Sequence, residues 1–398
     1  MHADAQRPKI SAAASFLQPV TAGLLAAIVG FASAFAIVLQ GLAAVGASPA
    51  QAASGLMALC IVTGFLGAGL SLWRKMPIFI AWSTPGAALL VATGAPAGGY
   101  GAATGAFLAA AALVVAAGFW GAFGRAVAAI PASLAGAMLA GVLLGLCLAP
   151  VKAVAALPLL ALPIIVAWAV MLRVARLYAA PVALAVTAVL VIYATALPPG
   201  ALAHIQPEPV FVMPIFSAGA LVSIALPLFI VTMASQNVPG LAVLNLNGYR
   251  PAPGPIFVAT GAASGLTALF GGHLVNLAAI TAALCAGPDA HPDPARRYIA
   301  VVAAGVTNVG LGLGAGLAAA FIAASPPLLI QCVAGLALFG SLAAALQGAL
   351  AREDERLPAI VTFAVAASGT SFFGIAAPVW GLLAGGALLG VMRMASSE

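Results

Sequence analysis

Between one small group of charges and the next, this chain runs for about twenty residues at a time on Ala, Val, Leu, Ile and Gly with few interruptions. Such runs leave few folds open. A backbone that cannot reach water must satisfy its own amides, so runs of this kind form membrane helices. Only 6% of the 398 residues are charged, 64% are hydrophobic and the mean hydropathy is +1.19. A soluble domain carries about 25% charged residues. No water-soluble core could hide so much apolar surface, and the chain reads as one all-α integral membrane unit. Its net charge of +6 is scattered singly or in pairs, which suits topology signals rather than a nucleic-acid surface. Cys60, Cys147, Cys285 and Cys332 lie inside apolar runs with no metal-site spacing, so no metal or other cofactor is expected. The polar stretch before Ser15 is short, and the apolar run behind it is too long for a cleaved signal peptide, so the first span is expected to be retained.

Charges, Pro/Gly clusters and polar breaks divide the chain into fourteen segments. The first seven cover 17–45, 49–72, 77–93, 99–120, 128–149, 154–172 and 179–197. The second seven cover 215–238, 254–271, 273–286, 298–323, 326–350, 357–373 and 376–394. Positive charges collect on the cytoplasmic side, and every added or missed span flips all later loops. With both termini inside, Arg7, Lys9, Arg74, Lys75, Arg125, Arg173, Arg176, Arg250, Arg296, Arg297, Arg352, Arg356 and Arg393 all fall inside. Only Lys152 falls outside. Segments 77–93 and 273–286 are short or broken by Pro and Gly, and each is third in its set of seven. Paired interrupted segments point to a repeat that builds a transport site, and an odd seven per half inverts the second half. Thr63-Gly64 and Thr260-Gly261 share one offset that also places Thr84 opposite Thr281.

All eight acidic residues, Asp4, Glu208, Asp289, Asp293, Glu353, Asp354, Glu355 and Glu398, lie outside these segments. His2, His204 and His291 do too, which leaves His273 as the one titratable imidazole placed deep in the membrane. An intramembrane ionisable group is a functional candidate by default. Imidazole titrates near pH 6.5 and as the cation would neutralise a carboxylate; a packing histidine bonded to a carbonyl is the plainer alternative. In Trp82-Ser83-Thr84-Pro85-Gly86, Ser83 or Thr84 would cap a half-helix whose N-terminus attracts an anion, unless Pro85 marks only a kink. Gln236 and Asn237 sit at the end of an apolar span before Pro239-Gly240, and Gln40 is isolated in another. Such amides hold a carboxylate or glue helices together. Phe35, Phe79 and Phe270 lie near these motifs, and Gly64, Gly67 and Gly69 suit close helix packing.

Three motifs in order, Ile80-Ala81-Trp82-Ser83-Thr84-Pro85-Gly86-Ala87-Ala88, Met233-Ala234-Ser235-Gln236-Asn237-Val238-Pro239-Gly240 and Gly271-Gly272-His273-Leu274-Val275-Asn276-Leu277-Ala278-Ala279-Ile280-Thr281, resemble the bacterial benzoate/proton symporter family over nearly the whole chain. That family is similar in architecture to the uracil-permease-type nucleobase transporters. The resemblance implies a fourteen-span, 7+7 inverted repeat with short strands opening segments 3 and 10. It implies a core domain of 1–120 plus 215–323, a gate domain of 121–214 plus 324–398, and a homodimer through the gate. Benzoate and protons are then the expected partners in the inner membrane, with transport by an elevator motion and no enzymatic activity. The expected substrate-binding set is Gln40, Trp82, Ser83, Thr84, Pro85, Gln236, Asn237, His273, Asn276 and Thr281, with His273 carrying the proton. Nucleobase carriers of that type usually bring a glutamate from span 8. Here Gln236 and Asn237 stand in that region, and the missing negative charge suits a monoanion.

Overall fold

A computed structural model describes residues 12–120, 131–194, 207–278, 280–373 and 375–395. Arg7, Lys9 and Arg125 of the charge pattern, with His2, Asp4, His204, Ala279, Glu398, most of the N-terminal tail, the start of segment 128–149 and the end of segment 179–197, lie outside the described residues. Helices dominate: α1 (Ala12–Ala44), α2 (Pro49–Arg74), α3 (Thr84–Thr93), α4 (Gly99–Phe119), α5 (Ala132–Cys147), α6 (Ala149–Ala156), α7 (Pro158–Val174) and α8 (Ala179–Ala194). A long helix, α9, covers Ala218–Leu246. After it come α10 (Pro253–Leu269), α11 (Ile280–Ala286), α12 (Tyr298–Leu313), α13 (Ala315–Ala324), α14 (Pro327–Leu350), α15 (Arg356–Ala367) and α16 (Ala377–Ala395). Eight helices among the described residues are long and apolar enough to cross a bilayer. A ninth is the pair around Gly314, bent by 54°. Segment 298–323 was expected as one unbroken span. Gly310, Gly312 and Gly314 are poor helix formers, and the bend falls among them.

Two short strands, β1 (Ile80–Trp82) and β2 (Val275–Leu277), pair antiparallel with Ile80 opposite Leu277, Ala81 opposite Asn276 and Trp82 opposite Val275. Each strand runs directly toward a half-helix, α3 or α11. A strand ribbon in a membrane must have its edge groups satisfied, and neighbouring helices do this with serines. Ser264 on α10 accepts Val275 N–H at 2.9 Å and donates to Val275 O at 3.3 Å. Ser71 on α2 brackets Ile78 in the same way, at 3.1 and 3.3 Å. A second hairpin, β3 (Ser371–Phe372) with β4 (Ile375–Ala376), joins α15 to α16; the sequence reading had not anticipated it.

α9 differs from expectation. Pro239-Gly240 was expected to end the span near 238, yet the helix continues to Leu246. Proline has no N–H to donate, and a π-turn at Met233–Asn237 takes up the mismatch: Val238 N–H bonds Met233 O, five residues back. A second π-turn occupies Leu221–Ala225.

α2 packs on α12 and α4 on α10 along small residues. A Cβ added at Gly64 would meet Gly305 O at 2.5 Å, and one added at Gly305 would meet Gly64 O at 2.5 Å, so neither helix tolerates a side chain there. Gly69 meets nothing within 4 Å and has no such role. α5, α15 and α16 are tied at one end by Glu355, which is 2% exposed. It accepts Ser133 Oγ–H at 2.5 Å and an Arg393 N–H at 2.8 Å, with Arg352 at 3.3 Å. Glu355→Gln turns one of these acceptors into a donor and is expected to lower the apparent Tm in detergent, equivalent to about 1–3 kcal/mol.

Candidate functional site

Strand β1, the two half-helix starts, α1, α2, α9, α12 and α14 line a cavity of about 150 Å³. Its apolar wall is aromatic. Phe79 and Trp82 come from the β1 segment, and Phe31 from α1 packs edge-on against Trp82 at 6.1 Å with a 74° interplanar angle. Phe35 stacks behind Phe31 at 5.1 Å and 5°, fixing the ring that faces the cavity. An apolar cavity of about this size is enough for a benzene ring.

Polar groups converge on the same space. Thr84, Gln236, Thr281 and Asn308 line it, and their side chains form no hydrogen bond with any described residue. Thr84 and Thr281 start the two half-helices. α1 comes close to Thr281 at Gly30, where a Cβ would sit 3.1 Å from Thr281 Cγ2. At the head of α3 most donors are already used. Pro85 has none, Gly86 N–H bonds Ser83 Oγ at 3.2 Å and Ala87 N–H bonds Ser83 O at 2.8 Å. The Thr84 amide is the one left over.

The remaining expected residues hold this frame from behind. Ser83 is fully buried, its N–H donates to Leu274 O at 3.0 Å and its hydroxyl shares a 2.9 Å bond with Thr232 of α9. Asn237, also fully buried, accepts Leu277 N–H at 3.0 Å through Oδ1 and donates to Met233 Sδ at 3.1 Å. One helix therefore grips both half-helix starts, Thr232 on the α3 side and Asn237 on the α11 side. Residues five apart on a regular α-helix diverge by about 140°; the wider π-turn reduces that divergence. It also leaves Gln236 lining the cavity beside an Asn237 that does not.

His273 is fully buried and does not line the cavity. Its Nδ1 lies 3.1 Å from Leu274 O, and its Nε2 has no partner among the described residues. Leu274 O thus receives both the imidazole N–H and the Ser83 N–H. The turn before it is held by Tyr100, whose hydroxyl donates to Gly271 O at 2.5 Å, and by Ser54 to Phe270 O at 2.9 Å. Gly271 has φ +83°, and a Cβ on Gly55 would meet Gly271 O at 2.2 Å, so both glycines are required for this turn to sit against α2. Asn276 donates to Leu277 O at 2.8 Å, while its Oδ1 and the Nε2 of Gln40 are buried without partners among the described residues. Neither residue lines the cavity, nor does Pro85. Phe270 packs against Phe211 at 6.5 Å instead.

Sequence reasoning missed Phe31, Thr63 and Asn308 on the cavity wall and Thr104, whose buried hydroxyl has no partner among the described residues. Asn308 carried a signal of the same kind as Gln40, a lone amide in an apolar run. Phe31 stands one helical turn before Phe35.

The fold has solved counterparts. The transmembrane domain of a cyanobacterial bicarbonate transporter, BicA, superposes with a TM-score of 0.58 at 16% identity, covering 92% of this chain and 96% of that one. The murine anion transporter Slc26a9 in its inward-facing state gives 0.63 at 15% identity, covering 98% of this chain and 70% of that one. In sequence, the inner membrane protein YdcO of Escherichia coli K12 is 39% identical across 94% of this chain and 95% of its own length. The benzoate membrane transport protein of Acinetobacter baylyi is 32% identical across 93% of each. Three of these four are named as transporters or a transport protein and the other as an inner membrane protein, and none is named as an enzyme. The family model for benzoate membrane transport proteins matches residues 13–391, and the chain belongs to that family of membrane transporters.

Proposed function

We propose that this protein imports benzoate, or a close aromatic monocarboxylate, together with protons across the bacterial inner membrane. The observation that carries the reading is the cavity: a benzene-sized space walled by Phe31, Phe79 and Trp82, with unpartnered polar side chains at the half-helix starts. The ring packs against the aromatic wall. The carboxylate takes hydrogen bonds from Thr84, Thr281 and Gln236, near the positive end of the α3 dipole. Ser83, Pro85, Asn237 and Asn276 position these groups, Gln40 supports them from α1, and His273 carries the proton.

A 7+7 inverted repeat is supported by the antiparallel pairing of β1 with β2 and by the matching serine brackets on Ile78 and Val275, which are separated by the same offset as Thr84 and Thr281; fourteen spans with both termini cytoplasmic rest on the segment pattern and the distribution of Lys and Arg. A core of 1–120 plus 215–323 moves in elevator fashion against a gate of 121–214 plus 324–398, through which two copies pair. The carrier alternative, a small inorganic anion or another carboxylate, draws on the fold shared with the bicarbonate and anion transporters; the aromatic wall argues against it.

Uptake by proteoliposomes with an acidic outside tests the reading. Labelled benzoate is expected to accumulate above protein-free liposomes, which set the baseline for neutral acid crossing the lipid. Unlabelled aromatic acids should compete and bicarbonate should not. Uptake no better than that baseline, or competition by bicarbonate alone, would sink the proposal.

A further inference from the structure

The cavity is walled from two sides. Thr84, Gln236 and Thr281 belong to the segments read as core, whereas Leu177, together with Ala337, Leu338 and Ser341 of α14, belongs to those read as gate. Ser341 follows Ala337 by one helical turn, so both meet the cavity from one side of α14. Its hydroxyl is half-buried and makes no hydrogen bond with any described residue. Ser33 on α1 and Ser235 on α9, also half-buried, instead turn theirs back onto Val29 O and Val231 O. Ser341 thus offers a donor and an acceptor to whatever occupies the cavity. The cavity also has a direction. Leu177 sits in the turn between α7 and α8, flanked by exposed Arg176 and Tyr178, on the face read as cytoplasmic. Leu284 lies three residues beyond Thr281 along α11, about 4.5 Å toward the same face, where Arg297 donates to Ala286 O at 2.9 Å. No described lining residue comes from the turns 45–48, 94–98 or 207–217 at the opposite face. The space therefore runs from the half-helix starts toward the cytoplasm.

We infer that the Ser341 hydroxyl hydrogen-bonds the transported acid from the gate side in this inward-open arrangement alone, and so strengthens binding at the cytoplasmic face without strengthening it at the outer face. This inference rests on the carrier reading and on the division into core and gate above. Thr84, Gln236 and Thr281 travel with the acid when the core moves, so their contacts serve both faces. Ser341 stays with the gate. An O–H···O bond forms only at about 2.5–3.0 Å, so a slide of a few ångströms breaks it. A contact made in one of two states favours that state alone.

The test compares benzoate uptake by right-side-out and inside-out membrane vesicles holding the full chain. In Ser341→Ala the KM at the cytoplasmic face, divided by the KM at the outer face, should rise about fivefold. Thr281→Val should raise both constants and keep their ratio. Ser341→Thr retains a hydroxyl and should fall nearer wild type than the alanine variant. Cys60, Cys147, Cys285 and Cys332 are all buried, so Ser341→Cys adds a thiol against a quiet background. A membrane-impermeant maleimide should modify it from the cytoplasmic face, and several-fold more slowly with saturating benzoate. This arm decides the matter even if Ser341→Ala does not fold. An unchanged KM ratio in Ser341→Ala, modification of Ser341→Cys that is absent or comes from the outer face, or no protection by benzoate overturns this inference and leaves the carrier reading standing. A shift of the ratio by Thr281→Val overturns the division into core and gate and this inference with it. Absence of any aromatic acid uptake by the wild type overturns the carrier reading as well.

Discussion

Asn237→Leu is expected to cut the maximal rate of benzoate uptake by about ten- to a hundredfold with KM within about twofold of wild type, whereas Gln236→Leu raises KM about tenfold. Adjacent residues differ so sharply because successive side chains on a helix point about 100° apart and meet different neighbours. Gln236 lines the cavity and has no hydrogen-bond partner among the described residues, so its loss is expected to weaken binding. Asn237 is fully buried, and its Oδ1 is the acceptor for Leu277 N–H. In the β1–β2 ribbon, Ile80 and Leu277 form a non-hydrogen-bonded pair, since the ladder bonds run from Ala278 N to Phe79 O and from Ser83 N to Leu274 O. Leu277 N–H therefore points away from β1 and depends on α9. Leucine matches asparagine in size but leaves that buried amide unpaired, at about 1–3 kcal/mol. This weakens the population in which β2 is seated and the α11 start is in place. Asn237→Asp keeps the acceptor and should retain more activity than the leucine variant. Steady-state uptake with KM and maximal rate measured separately gives the answer; a rise in KM alone for Asn237→Leu would put that side chain against the substrate.

The breaks in segments 77–93 and 273–286 were legible in the sequence because Ser83-Thr84-Pro85 and Gly271-Gly272 are local helix signals, and the structure places a strand and a half-helix start at each. Thr84 and Thr281, paired there by a bare offset, meet in one cavity. The π-turn was not legible. A proline followed by a glycine reads as a stop, and only the fit of α9 against Ser83 and Leu277 shows why the helix runs on with an altered pitch. Asn237 and His273 looked like ligands because polarity in an apolar run marks importance without marking direction. Whether such a group meets a substrate or a neighbouring backbone is decided by packing between segments far apart in sequence. Phe31 was overlooked for the complementary reason: a phenylalanine is ordinary within its own helix, and only the packing of α1 against β1 brings it to the cavity wall.

His273→Gln is expected to abolish accumulation driven by a pH gradient while leaving exchange of labelled for unlabelled benzoate at equal pH. A carbonyl oxygen can only accept, so the bond to Leu274 O means that Nδ1 carries the hydrogen of the neutral ring. A further proton can then add only at Nε2, which is buried and has no partner among the described residues. A buried cation without a counter-charge is costly, and among the described residues no carboxylate forms an ion pair with this ring. In the proposed mechanism the charge that offsets it is the substrate's own. Leu274 O links the two sites, because it holds both the imidazole and the amide of Ser83, the cap of the half-helix whose next residue lines the cavity. Arrival of the carboxylate therefore favours protonation of the ring, and protonation of the ring favours the carboxylate, by the same factor. With one proton per carboxylate the loaded carrier is neutral, and a gradient of one pH unit supports about tenfold accumulation. Glutamine can donate to Leu274 O but cannot take up a proton, so the variant is expected to add nothing to the pH-driven accumulation of protein-free liposomes. Proteoliposomes assayed with and without a pH step separate the two activities. Wild-type accumulation by His273→Gln would remove the histidine from the proton's path and leave the transported acid to carry its own proton.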